Sequence, residues 1–325
     1  IVAGRTGDDS RSSTEYGEYD YRTRDTQYRW QHDIVLPAGD LSLAYERREE
    51  RLTENAGFAV TSRNTDSAIA VYRLVSGPQA LQVNVRHDDS SQFGARTTGT
   101  LAWGWRFAPG WRVTASGGTA YKAPTFNDLY YPGYSNPDLD EETSRSLEAG
   151  LAWSGEVGGA RINARATGWH NRVRSLIVFM CDANYACAPQ NVDRATLEGV
   201  TLAADASWSA TTLKASLNLQ SPTDDATGNL LPRRARTYGS LSALHRIGPV
   251  LLSAELSASS KRYDDAANTR AMAGYAIVNL YAEWAAGHGV TLFVRGDNVL
   301  DRDYELAADY STGGAQVFAG LRWAM

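Results

Sequence analysis

Cysteine, methionine and long apolar runs are scarce in this sequence. Only two of its 325 residues are Cys and three are Met. No stretch reaches the roughly 18 consecutive apolar residues of a membrane-spanning helix, which argues against a helical membrane protein. The 32 Lys and Arg are outnumbered by 37 Asp and Glu, for a net charge of -5. This balance lacks the basic excess of a nucleic-acid-binding protein, so we expect no nucleic-acid partner.

Catalytic motifs are also missing. The chain has five His, scattered along its length, and neither a G-x-S-x-G nucleophile elbow nor an H-E-x-x-H zinc motif. We therefore predict that the protein is not an enzyme. The alternative is a Ser and Asp site assembled in space, as in barrel enzymes of the outer membrane.

The two cysteines, Cys181 and Cys187, are separated by five residues. So close a spacing predicts a loop disulfide formed in an oxidising compartment. The alternative is two free thiols. A zinc site is disfavoured, because no His or second Cys pair lies nearby to complete a tetrahedral ligand set.

Aromatic residues and glycine are abundant, with 17 Tyr, 9 Trp and 29 Gly. Apolar residues recur at every second position, for example at Leu213, Ala215, Leu217 and Leu219, with polar residues between them. A helix would scatter such residues around its axis, whereas a strand places them on one face. The pattern recurs from end to end and predicts an all-β protein.

The connections between the predicted strands alternate between short and long. Short turns are expected at 36–39, 76–78, 108–110, 154–159, 209–210, 247–249 and 286–289. Longer polar connections are expected near 6–25, 52–65, 87–95, 122–143, 176–194, 221–234, 260–273 and 299–313. This alternation is typical of outer-membrane barrels, whose periplasmic turns are short and whose extracellular loops are long. We predict one domain, 1–325, a transmembrane antiparallel β-barrel of about 16 strands surrounded by outer-membrane lipid.

Three segments resemble the TonB-dependent receptors. Residues 117–151 contain KAPTFNDLY followed by NPDLDEETS, residues 296–305 read GDNVLDRDYE, and residues 317–323 read VFAGLRW. The resemblance implies a monomeric receptor in the outer membrane of a Gram-negative bacterium, with a 22-strand barrel and an N-terminal plug domain through which the partner TonB acts. The chain is then expected to be the C-terminal portion of the barrel, without the plug and the first strands.

Within that family, residues 86–94, 230–236 and 261–265 resemble segments of the cobalamin receptors. The resemblance implies import of cobalamin. The alternatives are a receptor for a ferric siderophore or haem and, in a different class, a passive porin.

Two sets of residues are candidates for binding. Carboxylates and tyrosines near the N-terminus suit calcium, which takes six to eight oxygen ligands, and the cobalamin receptors order their loops with this ion. The calcium candidates are Asp8, Asp9, Tyr19, Asp20 and Asp25. Contacts with cobalamin or another bulky nutrient are expected from Arg262, Tyr263, Tyr130, Tyr131 and Tyr134. For each residue the alternative is a solvated acidic loop or ordinary loop packing.

Overall fold

The computed structural model describes residues 1–14, 17–181 and 186–324. Its main feature is a sixteen-stranded sheet in which strands adjacent in the chain pair with one another, in antiparallel fashion. Two small two-stranded sheets and one short helix lie in the connections of the described part. The predicted all-β architecture with about 16 strands is confirmed. No helix in the described ranges is long and apolar enough to span a membrane.

The strands of the first half are β1 (Val2–Thr14), β2 (Gly17–Leu36), β3 (Gly39–Glu54), β4 (Ser62–Ser76), β5 (Gln79–Ser90), β6 (Gly94–Ala108), β7 (Trp111–Lys122), β8 (Glu142–Val157), β9 (Ala160–Cys181) and β10 (Cys187–Trp208), with helix α1 (Phe126–Tyr130) between β7 and β8. The second half contains β11 (Thr211–Asp224), β12 (Thr237–Ile247), β13 (Val250–Ser259), β14 (Arg262–Tyr263), β15 (Ala271–Met272), β16 (Tyr275–Gly287), β17 (Val290–Asp297), β18 (Glu305–Ala307), β19 (Tyr310–Ser311) and β20 (Gln316–Trp323).

The chain divides into two compact units. The first contains residues 1–105, 114–147 and 171–195, and the second contains 106–113, 148–170 and 196 onward.

In the first unit, the two faces of the sheet differ in polarity. Glu46, Ser67 and Asp88 occupy one cross-strand row on β3, β4 and β5, and all three are buried. Tyr45, the residue before Glu46, lies on the other face and is 49% exposed. Side chains alternate between faces along a strand, so the same backbone presents a polar face and an apolar face.

The second unit repeats this arrangement. Leu241 of β12 lies between Ala215 of β11 and Leu256 of β13, so that an apolar row crosses the three strands. The preceding residue, Ser240, lies between Ser216 and Ser257 on the other face. The register therefore keeps apolar and polar residues on separate faces.

Seven tight turns join the strands at the ends where short connections were predicted, at residues 37–38, 77–78, 109–110, 158–159, 209–210, 248–249 and 288–289. Gly110 shows why such turns need glycine. Its φ is +77°, and a Cβ atom there would overlap the carbonyl oxygen of Ser154. A residue with a side chain would be strained in both respects.

Three of the predicted long connections are wrong in their extent. Residues 6–25 and 176–194 lie mostly in the paired strands β1, β2, β9 and β10, whose connections at 15–16 and 182–185 lie outside the described residues. Residues 87–95 likewise form the ends of β5 and β6 around a tight turn. These strands continue as hairpins where a loop was expected.

Candidate substrate-binding region

The five calcium candidates lie on the hairpin of β1 and β2, divided between its two faces. Asp9 pairs with Arg22 and Asp20 pairs with Arg11 in the strand register, which places these residues on one face. Asp8 lies opposite Thr23, on the face that also carries Tyr19 and Asp25. The alternation of the strands thus separates carboxylates that are close in sequence.

Arginines neutralise three of these carboxylates. Ion pairs join Asp9 to Arg22 at 2.8 Å, Asp20 to Arg11 at 2.7 Å and Asp25 to Arg48 at 2.6 Å. One oxygen of Asp25 is buried without a hydrogen-bond partner. In the described ranges, however, no three acidic, His or Cys residues are grouped closely enough to hold a metal ion. These carboxylates do not gather the six or more oxygens of a calcium site by themselves, so calcium stays a prediction.

The connection from β7 to β8, residues 123–141, packs against the polar face of the first unit. It contains helix α1, whose N-terminus is closed by a capping box between Thr125 and Asp128. Leu129 in the helix and Leu139 after it are buried. A helix of five residues is too short to be stable by itself, so these contacts hold it in place. We call residues 123–141 the inner segment.

Two of the predicted substrate tyrosines hold the inner segment in place. The ring of Tyr131 packs on Tyr21 and Phe58, with centroid distances of 6.2 and 6.1 Å. The hydroxyl of Tyr130 accepts a 2.7 Å hydrogen bond from Gln92. Tyr134, by contrast, is 54% exposed. Of these three tyrosines, Tyr134 is therefore the one whose ring is open to a ligand.

Arg63 of β4 joins the inner segment to the strands, a role that sequence reasoning missed. Its guanidinium pairs with Glu50 at 2.8 Å and donates a 3.0 Å hydrogen bond to the carbonyl oxygen of Pro124. It also lies over the ring of Phe126, 5.3 Å from the centroid. An arginine can make all three contacts because its planar guanidinium stacks while its edges donate.

A charged network lies beside this contact on the polar face. Arg86 pairs with Glu46 at 2.9 Å and with Asp88 at 2.7 Å, and the hydroxyl of Ser67 also donates to Asp88. Both carboxylates are buried. Buried charges are tolerated when they are paired and hydrogen-bonded, as they are here.

Asn191 of β10 fastens the other end of the inner segment. Its amide nitrogen donates to the carbonyl oxygens of Asp140 and Ser175, at 3.1 and 2.7 Å. Its amide oxygen accepts from the backbone N–H of Asp140 at 2.9 Å. No motif around Asn191 indicated this role, because its partners are backbone atoms far away in sequence.

Within the second unit, the connections at 225–236, 260–274 and 298–315 pack together. Asp264 contacts both of the others, because it pairs with Arg233 at 2.6 Å and accepts a hydrogen bond from the backbone N–H of Ala308. Burial alone would raise the pKa of Asp264, but these two hydrogen bonds and the positive charges of Arg233 and Arg270 together outweigh it and lower the pKa below its ordinary value. Leu231 and Met272 are buried among these connections.

The position of Arg262 differs from the one expected of a principal substrate contact. Arg262 is only 4% exposed, its guanidinium donates to the carbonyl oxygen of Glu305, and it lies 5.3 Å from the centroid of the Tyr275 ring. In this position the guanidinium group helps to hold the neighbouring connections together. The neighbouring Tyr263 is half-buried, and its carbonyl oxygen accepts a hydrogen bond from the backbone N–H of Arg233.

The predicted disulfide is present. Cys181 at the end of β9 and Cys187 at the start of β10 are bonded. The bond closes the hairpin formed by these two strands.

A family model described as "TonB dependent receptor-like, beta-barrel" matches residues 3–299. The chain belongs to this family. It is the β-barrel of a TonB-dependent outer-membrane receptor, from a family of receptors and transporters and not of enzymes. This membership decides against the passive porin that the sequence left open.

Named relatives of this receptor barrel are vitamin B12 transporters. It is 28% identical over 298 residues to the vitamin B12 transporter BtuB of Vibrio vulnificus, covering 90% of this chain and 47% of the relative. It is 25% identical over 306 residues to the vitamin B12 transporter BtuB of Photobacterium profundum, covering 92% and 50%. The chain thus spans about half the length of these curated relatives.

Solved structures of the same fold include receptors for other cargo. The copper transporter OprC superposes with a TM-score of 0.78 at 16% identity, over 95% of this chain and 57% of that one. The siderophore receptor PirA from Acinetobacter baumannii gives 0.75 at 15% identity, over 94% and 55%. At such identities these likenesses establish the fold and do not identify a substrate.

Membership in the family orients the receptor barrel. Transmembrane barrels turn their apolar face to lipid and their polar face to the lumen. The inner segment, the buried carboxylates and Arg63 therefore lie on the lumen side of the first unit. Tyr28, Trp30 and Leu101 are exposed on the lipid side.

Proposed function

We propose that this barrel belongs to an outer-membrane receptor that binds cobalamin and imports it by active transport energised by TonB. The observation that carries the proposal is the likeness to two proteins named vitamin B12 transporter over 90% and 92% of the chain. Because the chain spans about half of each relative, transport is proposed for the whole receptor.

Tyr134 is the residue that we propose for direct contact with the substrate. Its ring is 54% exposed and lies 6.3 Å from that of Tyr131, which is itself packed on Tyr21. A ring held by its neighbours loses little conformational freedom when a flat ligand packs against it. Tyr130, Tyr131, Arg262 and Tyr263 then act by holding the connections in position.

The proposed mechanism is binding followed by gated translocation, without a covalent step. The loops supply affinity, and TonB supplies energy through the plug domain that receptors of this family carry. Calcium remains a separate prediction, since the acidic residues of β1 and β2 do not gather into a site by themselves.

The test is equilibrium binding of cyanocobalamin to the purified receptor, with calcium and with a chelator. Tyr134→Ala should weaken binding by roughly fivefold, the value of one aromatic contact. Tyr28→Ala is the matched control, because Tyr28 is 50% exposed but lies on the apolar face of β2. It should leave binding unchanged.

Absence of cyanocobalamin binding at micromolar concentration, together with tight binding of a ferric siderophore, would overturn the cobalamin assignment and leave the family intact. Equal affinities with calcium and with chelator would remove the calcium prediction alone. Equal losses in both tyrosine variants would contradict the role of Tyr134.

A further inference from the structure

A cavity of about 360 Å³ in the first unit is lined by five arginines from four strands, and one of them, Arg96 of β6, is paired with Glu141. We call Arg145 of β8, Arg172 and Arg174 of β9 and Arg194 of β10 the arginine cluster. The hydroxyl-bearing residues Thr97 and Thr143 line the same cavity. All four arginines of the cluster are exposed.

In the part of the chain that the structure describes, the arginine cluster has no acidic partner. Among the described residues, no carboxylate forms an ion pair or hydrogen bond with any of its four guanidinium groups. Elsewhere in the same unit, Arg11, Arg22 and Arg63 are each paired with an Asp or Glu. Four like charges around one cavity repel one another, so the arrangement favours an anion from outside the chain.

Neighbouring residues place the arginine cluster on the lipid side of the sheet. Leu147, two residues after Arg145 on β8, is 66% exposed, and Leu101 follows Thr97 by four residues on β6 and is 54% exposed. Val173 and Ala195, the residues next to the arginines on β9 and β10, are buried on the opposite face. An even spacing along a strand keeps residues on one face, so the guanidinium groups share the face of the exposed leucines.

The depth of the cluster along the strands is also informative. Arg145 lies three residues after the start of β8, and Arg174 lies seven residues before the end of β9. β8 begins directly after the inner segment, and long connections of this kind face the outside of the cell in such barrels. The cluster therefore lies above the exposed leucines, at the level of the lipid headgroups on the outer side.

We propose that the arginine cluster binds the phosphate groups of a phosphorylated lipid headgroup in the outer leaflet. Guanidinium groups match phosphate because they donate two parallel hydrogen bonds to its oxygens. Threonine hydroxyls can donate a further hydrogen bond, and the leucines below would contact the acyl chains. The site lies on the opposite face from the proposed substrate contact, so it does not depend on which nutrient the receptor takes.

The experiment is native mass spectrometry of the receptor in detergent with three probes: bisphosphorylated lipid A, the same lipid with both phosphates removed, and inorganic phosphate. The receptor should retain bisphosphorylated lipid A in preference to the dephosphorylated lipid. Arg172→Gln with Arg174→Gln should reduce its retention by about tenfold, because two phosphate contacts are lost. The unfolding temperature is measured for every variant to confirm that it is folded.

Arg11→Gln with Arg22→Gln is the matched control, since it removes the same charge from the same face where both arginines have acidic partners. It should retain the lipid. Arg172→Lys with Arg174→Lys keeps the charge but loses the paired hydrogen bonds, so an intermediate loss is expected, and it decides the matter should the Gln variant not fold. Equal retention of phosphorylated and dephosphorylated lipid, equal losses in the cluster and control variants, or occupation by inorganic phosphate alone would overturn the proposal.

Discussion

At the scale of single residues, Asp264 joins two neighbouring connections of the second unit. It faces Arg233 from one connection and the backbone N–H of Ala308 from another, and its side chain is 15% exposed. A nearby ion pair, Arg270 with Asp309, joins two of the same connections but is largely exposed, with 51% and 78% of the side chains accessible. Solvent weakens the second pair more than the first.

Replacing these two aspartates should therefore have unequal effects. Asp264→Asn should lower the free energy of local opening of the three connections by about 1–3 kcal/mol, the range for hydrogen bonds to charged groups. Asp309→Asn should change it by less than about 0.5 kcal/mol. Hydrogen exchange of the amides in residues 225–236 and 298–315 measures both. Similar protection in the two variants would contradict the central role of Asp264.

The same contact gives the connections a dependence on pH. Because the pKa of Asp264 is lower in the folded state than its ordinary value, the stabilisation is fully present above the ordinary carboxyl pKa of about 4 and is lost as the pH falls through the lower folded value. After correction for intrinsic exchange rates, the opening of these connections that amide exchange reports should not change between about pH 5 and 7. Opening that sets in on raising the pH within this range would contradict the assignment.

At the scale of elements, the inner segment is held to the strands at both ends. Arg63 and Tyr131 fasten its first half, and Asn191 fastens its last residues. Pro124, Leu129 and Leu139 are buried between these points. The segment is thus a packed part of the first unit, although it has little regular structure.

Asn191→Ala should release the last residues of the inner segment. Three backbone groups, at Asp140 and Ser175, would lose their partner, and amide exchange should accelerate over residues 136–141 while Leu129 and Tyr131 remain protected. Asn127→Ala, an exposed position in α1, is the control within the segment. Faster exchange throughout 123–141 would instead indicate that the segment opens as one body.

Strands were predictable from the sequence where their two faces meet different surroundings. Leu213 to Leu219 on β11 alternate clearly, because one face is apolar and the other polar. The alternation disappears near the connecting ends of β1 and β2, where Asp9 and Arg22 on one face and Asp8 and Thr23 on the other are all polar. The backbone pairing continues there without a hydrophobic pattern, which explains why 6–25 was expected to be a loop. In β9 the run from Leu176 to Met180 is apolar at every position, so the alternation is missing there for a different reason.

The candidate site was less predictable, because its contacts are tertiary. The sequence indicated that Tyr130, Tyr131 and Tyr134 share one connection, but only the fold distinguishes the packed rings from the exposed one. Likewise, the burial of Arg262 depends on Glu305 and Tyr275, which come from other elements. The disulfide was predictable, since the spacing of Cys181 and Cys187 alone restricts their separation.

At the scale of the whole molecule, the separation of apolar and polar rows across many strands is what makes the chain a membrane barrel. Ala215, Leu241 and Leu256 form one such row in the second unit, and Ser216, Ser240 and Ser257 form the adjacent row on the other face. Leu241 is 49% exposed, as expected of a residue whose neighbour is lipid.

A charge placed on each row should reveal which face meets the membrane. Leu241→Arg should destabilise the receptor by about 2–4 kcal/mol in lipid vesicles, the cost of an arginine near the middle of the bilayer. Ser240→Arg, one residue away, turns the same side chain to the polar face and should cost much less, because water can reach the guanidinium there. Unfolding in guanidinium chloride, monitored by tryptophan fluorescence, measures both variants. Should Ser240→Arg prove the more damaging of the two, the faces have been assigned the wrong way round, and the arginine cluster would then point into the lumen instead of toward the lipid headgroups.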